Sequence, residues 1–302
     1  MWSAHAMQFR TLGRTGLKVS VVGVGTWQFG GEWGRSYTAS DAREVLGAAK
    51  EEGINLIDTA ECYGDHLSER LIGETLPGRR EDWVIATKWG HKFHACFQRE
   101  PCFHAEGLLA QLEASLKALR TDHVDLLQFH SGSDAAFADE AMWAAAQQAQ
   151  RQGKARFLGN SIAPNTNLVQ VDASTKVGVD VIQVVYNRLQ REPEAEVLPS
   201  CQRQNLGVLA RVPLASGFLS GKYKPGHAFP ADDVREVWKK DDRDAKLAEV
   251  GKIAATEVPA GVPMVQWALA WCLRHPAVTA VIPGCKDAAQ VRANAAAARL
   301  PA

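Results

Sequence analysis

The stretch N-L-I-D-T-A-E-C-Y-G-D-H-L-S-E, residues 55–69, decides how the rest of the chain is read. It begins as a short apolar run, Leu56-Ile57, that stops at Asp58. Tyr63 follows in a loop closed by Gly64, and His66 opens a helical spacing that continues through Leu67, Arg70, Leu71 and Glu74. The pattern is strand, polar turn, helix. A carboxylate and a phenol at the end of a buried strand are costly if left unpaired. Both therefore mark a site, provided that partners for them stand elsewhere.

The same unit recurs in both directions. Residues 19–25 (VSVVGVG) form a first strand ending at Gly25-Thr26-Trp27, and 83–87 (WVIAT) a third ending in Lys88. Residues 124–129 (VDLLQF) end in His130, 156–159 (RFLG) in Asn160-Ser161, and 181–185 (VIQVV) in Tyr186-Asn187. Residues 207–210 (GVLA) and 278–282 (VTAVI) complete eight, the last ending in Pro283-Gly284. Helical spacing lies between them. It is clearest at 105–120, where Leu108, Leu109, Leu112, Leu116 and Leu119 share one side. Ala39-Ser40-Asp41 caps an earlier helix that Gly53 stops, and residues 8–20 read as a small hairpin ahead of the first strand. Residues 89–103 read as a long loop and 216–234 as an insert of Gly, Lys and Pro.

Eight alternations without a composition break, on strands that are apolar without alternation, point to strands buried on both faces. The fold expected is a single-domain (β/α)8 TIM barrel over residues 1–302, with residues 1–6 a disordered extension and Met7 an alternative start. Such a barrel brings the carboxyl ends of all its strands to one rim. There it gathers Asp58, Lys88, His130, Asn160, Ser161, Gln183, Tyr186 and Gly284.

Composition narrows the function. The 34 basic and 34 acidic residues balance, which argues against a nucleic-acid or membrane-surface protein. No apolar run is long enough for a membrane span, and the first residues lack the apolar heart of a leader, so the expected location is the cytoplasm. The 6 cysteines contain no CxxC and read as free thiols. Neutrality permits self-association without requiring it, leaving monomer and homo-oligomer both open.

The rim residues suggest proton transfer. No nucleophile elbow is present, which disfavours acyl transfer. A phenol with a reference pKa of about 10 gives up its proton more readily beside an ammonium. Lys88 supplies that charge and Asp58 holds Lys88. His130 hydrogen-bonds a carbonyl oxygen or relays a proton. Tyr63 is then a general acid for an oxyanion formed as hydride arrives at carbon. The hydride requires a cofactor. No GxGxxG stands in the chain, so that cofactor is not held in Rossmann fashion.

Six marks in order at strand ends carry a resemblance: Asp58-Thr59-Ala60-Glu61-Cys62-Tyr63-Gly64, Lys88 after IAT, His130 after LLQF, Val185-Tyr186-Asn187, PLASGFLSGKY from Pro213, and VIPGCKDAAQVRAN from Val281. Over nearly its full length the chain resembles the aldo-keto reductases, potassium-channel β-subunits among them. The resemblance implies a metal-free barrel that reduces a small-molecule carbonyl with NADPH, NADH being possible. Tyr63 is then the acid, supported by Asp58, Lys88 and His130. It implies Gln183 on the nicotinamide amide, Tyr186 stacked on the ring, and Ser161 and the backbone at Gly25, Thr26 and Trp27 nearby. Pro213, Leu214, Ser216, Gly217, Leu219, Gly221 and Lys222 belong to the loop over the pyrophosphate. Lys286, Gln290 and Asn294, with Gly284, hold the adenosine end.

The chain departs from the family pattern in places. Ile162 follows Ser161 where Asn is usual, and Asn160 points the other way along the strand. Ser131-Gly132 follows His130 instead of an Arg-Pro type, so the substrate rim differs. Asp287 follows Lys286. A carboxylate there repels a 2′-phosphate, yet it also makes a good N-cap. Lys286 favours phosphate, so NADPH is expected ahead of NADH. Other readings stand beside these. Lys88 and Asp58 also suit a structural ion pair, Tyr186 a core aromatic, Ser161 a helix cap, and Cys62 a small buried filler. His91, His94, Cys96, Cys102 and His104 suggest a metal-dependent hydrolase, while Phe93, Phe97 and Phe103 suggest a lid. An NADPH-binding sensor with little turnover is the remaining alternative.

Overall fold

The computed structural model describes residues 6–230, 233–237 and 240–300. The expected extension, Ala6 excepted, lies outside them. Eight parallel strands run in chain order around the sheet: β1 Val24–Gly25, β2 Leu56–Asp58, β3 Val84–Trp89, β4 Val124–His130, β5 Ala155–Ser161, β6 Val179–Val185, β7 Gly207–Arg211 and β8 Ala280–Val281. Gly23 N donates to Val281 O at 2.8 Å and Gly25 N to Pro283 O at 2.9 Å, so the first strand meets the last. This is the expected (β/α)8 barrel. The hairpin Phe9–Thr11 with Lys18–Ser20 precedes it, and Leu12 from its turn packs into the barrel interior.

The strand period of two decides what faces inward. Leu56, Val84, Ala86, Leu126, Val181, Leu209, Ala280 and Ile282 fill the barrel. Two residues further along the same strands come Asp58, Lys88, Gln128, Gln183, Arg211 and Gly284. The polar rim is thus the top layer of the barrel's own packing.

Helices cover the outside: α1 Ala39–Glu51, α2 Leu67–Thr75, α3 Ala105–Leu119, α4 Glu140–Arg151, α5 Leu168–Ala173, α6 Val197–Arg203, α7 Lys240–Thr256, α8 Met264–Leu273 and α9 Ala288–Ala295. α1 starts one residue before the expected cap. The Thr38 hydroxyl accepts from Asp41 N while the Asp41 carboxylate accepts from Thr38 N, a reciprocal pair that Ser40 cannot make. α3 buries Leu108, Leu112, Leu116 and Leu119 against the barrel, where truncating one to Ala costs about 2–5 kcal/mol. Among the described residues no helix is long and apolar enough to cross a membrane.

Two connections matter for the site. The stretch expected to be a loop at 89–103 is a β-hairpin, His91–Ala95 with Gln98–Pro101, turning at Phe97 with φ 62°. Its strands are short and mostly exposed, so no apolar run announces them. Glu32 holds the hairpin. This carboxylate is fully buried and accepts from Phe97 N at 3.0 Å, from Arg99 Nη2 at 2.5 Å and from Trp27 Nε1 at 2.5 Å. The insert after β7 is ordered by a small core of Phe218, Leu219, Phe229, Leu247, Ile253 and Trp267. It reaches back to the loop after β1 through an antiparallel bridge of Asp233 with Trp33.

Candidate active site

Asp58 stands at the end of β2 and is almost fully buried. One of its oxygens accepts from Lys88 Nζ at 2.8 Å. The other accepts from Gln183 Nε2 at 2.7 Å and Gln128 Nε2 at 3.1 Å. Lys88 Nζ also donates to Thr59 O at 2.6 Å and lies 3.3 Å from the Tyr63 hydroxyl. Tyr63 is carried there by the turn before α2, and its ring meets that of His130 edge-on with centroids 6.1 Å apart. The structure therefore brings Asp58, Tyr63, Lys88 and His130 together.

Burial governs the electrostatics. It pushes the Tyr63 phenol up to about 12, and the nearby Lys88 ammonium only partly offsets this. The sequence-based expectation that Lys88 draws the phenol down is outweighed in this state. Tyr63 holds its proton at neutral pH. Burial also works against the Lys88 charge, but Asp58 and then Tyr63 overcome it and hold the ammonium above its ordinary 10.5. At His130, burial and then the charges of Lys88, His91 and Arg211 drive the imidazole well below 6.5, so it is neutral. Its Nδ1 faces Glu61 Oε2 and Cys62 Sγ, each at 3.7 Å.

A cavity of about 670 Å³ opens above this group. Of the residues expected to hold a cofactor, Gly25, Thr26, Trp27, Asp58, Ser161, Gln183, Pro213, Leu214, Ser216, Gly217, Lys222, Gly284, Lys286, Gln290 and Asn294 line it. Tyr186, Leu219 and Gly221 do not. Tyr186 lies an odd number of residues from inward Gln183 and turns to the opposite face. There its ring packs on Trp271 and His275 and its hydroxyl donates to Glu194 at 2.7 Å. Leu219 is fully buried in the core beneath the insert, and Gly221 ends a helical turn with φ 73°. Asn160 donates to Gln170 at 3.1 Å, away from the cavity, while Ile162 is buried. The proposed His/Cys ligands of the hairpin are not gathered: His94 pairs with Glu100, and His104 caps α3.

Residues 21–302 match the family described as the aldo/keto reductase family. The chain is an aldo-keto reductase. Membership makes it an NAD(P)H-dependent oxidoreductase. It is 31% identical to a probable voltage-gated potassium channel subunit beta of Arabidopsis thaliana, over 95% of this chain and 90% of that protein. It is 29% identical to the aldo-keto reductase YhdN of Bacillus subtilis, over 95% and 87%. Among solved structures, the holo form of the aldo-keto reductase AKR11C1 of Bacillus halodurans matches with TM-score 0.80 and 28% identity, over 98% of this chain and 92% of that one. The glycerol dehydrogenase AKR11B4 of Gluconobacter oxydans matches with TM-score 0.81 and 27% identity, over 97% and 90%.

Several residues of this aldo-keto reductase site escaped the sequence reading. Arg211 ends β7 in the inward phase of Leu209, lines the cavity, and donates to Ile162 O at 3.2 Å. Its Nε is buried without a partner. The strand parity that carries Leu209 inward was the available clue. Gln28 lines the cavity too, with its Oε1 unpartnered. Gln128 sits within the apolar run quoted as LLQF, where it passes for a strand residue. Arg235, from the insert, lies over the rings of Phe229, Tyr223 and Trp33 at 4.2, 5.1 and 5.5 Å.

Proposed function

We propose that this chain reduces an aldehyde or ketone to the alcohol with NADPH, and that Tyr63 gives the proton. The observation that carries the reading is the Tyr63 hydroxyl, protonated and 3.3 Å from a buried ammonium, beside a cavity long enough to run from His130 to Asn294. A dihydronicotinamide held in the cavity would supply the hydride for the carbonyl carbon. Tyr63 passes its proton to the carbonyl oxygen, and Lys88 stabilises the phenolate left behind. Asp58, held by two glutamine amides, keeps Lys88 charged and in place. Neutral His130 donates a hydrogen bond to the same oxygen.

The chain's groups suit the cofactor. The amide nitrogen of Gln183 is committed to Asp58 and Gln128, and its oxygen, reached by Ser161 Oγ at 3.4 Å, remains to accept from a carboxamide. Orphaned Arg211 Nε and Gln28 Oε1 offer further polar contacts. Lys222 and Lys286 supply cations for phosphate. Asp287 is occupied as the cap of α9, accepting from Gln290 N at 2.8 Å, which supports NADPH over NADH at Lys286. Trp27, Trp33, Phe97 and Pro101 give the mouth an apolar lining suited to an aromatic or long-chain carbonyl compound.

The relative named as a channel subunit keeps one other reading in view, a cofactor-binding sensor with little turnover. The deciding experiment is NADPH consumption with a reactive aromatic aldehyde, wild type beside Tyr63→Phe. Turnover that the substitution abolishes supports the reductase. Tight NADPH binding without turnover supports the sensor.

A further inference from the structure

We propose that Glu61, Cys62 and His130 form a site for a soft divalent cation, zinc foremost, and that the ion inhibits the enzyme from there. Each of the three side chains offers one ligand atom, and all three atoms lie within 4.8 Å of one another. His130 Nδ1 is 3.7 Å from Glu61 Oε2 and 3.7 Å from Cys62 Sγ. Tetrahedral zinc, with its usual bond lengths to nitrogen, oxygen and sulfur, sets its ligands about 3.3–3.6 Å apart. The two edges at His130 need to close by a few tenths of an ångström, and the Glu61–Cys62 edge, within 4.8 Å, by up to about 1.5 Å, which a turn of either side chain supplies.

A second observation points to a ligand. Glu61 Oε2 accepts no hydrogen bond, although the side chain is only 2% exposed. Its other oxygen accepts from His91 N at 3.0 Å. A buried carboxylate oxygen left bare is costly. The contact between Cys62 and His130 does not relieve it, and a cation would. Cys62 and His130 both line the cavity, so an ion has a route in and a fourth, open position. The nearby cations have partners of their own: Lys88 is paired with Asp58 and Arg99 with Glu32. His91 completes the surroundings, its ring edge-on to that of His130 with centroids 5.0 Å apart.

Binding displaces the thiol proton of Cys62, and any proton held on Glu61, to solvent. The thiolate and the Glu61 carboxylate then balance the two charges of the ion, and His130 binds through its neutral imidazole. With Nδ1 bound and the fourth position facing the cavity, His130 is fixed and the carbonyl oxygen's place beside Tyr63 is obstructed. This inhibitory half rests on the reductase reading. The binding half does not.

The test is a titration of the metal-stripped full chain with cobalt(II), the visible surrogate for zinc. Expected are one equivalent bound, tetrahedral visible bands, a near-ultraviolet thiolate-to-cobalt band, and displacement by zinc. Cys62→Ser should abolish the thiolate band and Cys102→Ser should leave it intact. Glu61→Gln should weaken binding by at least the ~10–100-fold lost when a residue supporting a metal site is removed. No thiolate band in wild type, or one that survives Cys62→Ser, overturns the site. Should Glu61→Gln fail to fold, the two cysteine variants decide alone. Zinc should stop NADPH turnover and a chelator restore it. Full turnover with the cation bound overturns the inhibition only, and absence of any turnover leaves the cobalt result to stand on its own.

Discussion

Asp58→Asn tests the buried network most directly. The carboxylate takes three donors, Lys88 at 2.8 Å, Gln183 at 2.7 Å and Gln128 at 3.1 Å. An asparagine turns one of its two oxygens into an NH2 group. That group faces either the ammonium or the two glutamine amides, donor against donor. Lys88, 1% exposed on its side chain, also loses its counter-charge. Removing one partner of a buried ion pair costs about 3–5 kcal/mol, a large share of the ~5–15 kcal/mol that holds a folded protein together. Urea unfolding of the two proteins at neutral pH reads this as a lowered midpoint at unchanged slope. The loss should be flat with pH through the neutral range. Lys88's folded value is raised above 10.5, so its contribution is complete below 10.5 and fades only as pH climbs through the raised value. Lys88→Met in the same chain should return part of the loss, because the uncompensated charge is then gone. A loss under about 1 kcal/mol, or strict additivity in the double variant, would refute the account of Asp58 as the group that keeps Lys88 charged.

Other substitutions separate the roles. Tyr63→Phe should bind NADPH as wild type does, measured by cofactor fluorescence, and lose reduction by about two orders of magnitude or more. Lys286→Ala should raise the dissociation constant of NADPH more than that of NADH, and equal losses would remove Lys286 from the phosphate site. Tyr186→Phe should leave cofactor affinity unchanged while costing about 1 kcal/mol in unfolding, from the bond to Glu194. Arg211→Leu should do the reverse and alter cofactor affinity.

What the sequence made legible follows from parity. Asp58, Lys88 and His130 are chemically conspicuous where apolar strands end, and each lies an even number of residues from an inward neighbour, Leu56, Ala86 or Leu126. Tyr186 looked equivalent because it also ends a strand. Counted from Val181, which faces inward, it falls on the outer face, and Arg211, counted from Leu209, falls on the inner one. The hairpin at 91–101 was harder to see. Its strands are held by pairing with each other and by Glu32, which lies far from them in the chain, so no local pattern encodes it. Glu61 was quoted within a motif, but its neighbourhood to His130 exists only once β2 and β4 are assembled. The pKa of Tyr63 was misjudged for a related reason, since residue types reveal the ammonium but not the depth of burial.

The bridge between Asp233 and Trp33 joins the loop after β7 to the loop after β1, and β8 lies between those strands. An arch therefore spans the end of β8, whose loop and following helix carry Gly284, Lys286, Gln290 and Asn294. A dinucleotide held there as proposed would have two ways out: to thread lengthwise, or to leave once Arg235 parts from its carboxylate and aromatic partners. A small carbonyl compound at the open mouth faces neither obstacle. On the proposed reading the arch covers the cofactor's place and leaves the substrate mouth open, so exchange of cofactor would require the Asp233–Trp33 bridge and the Arg235 contacts to part, while exchange of a small carbonyl compound would not.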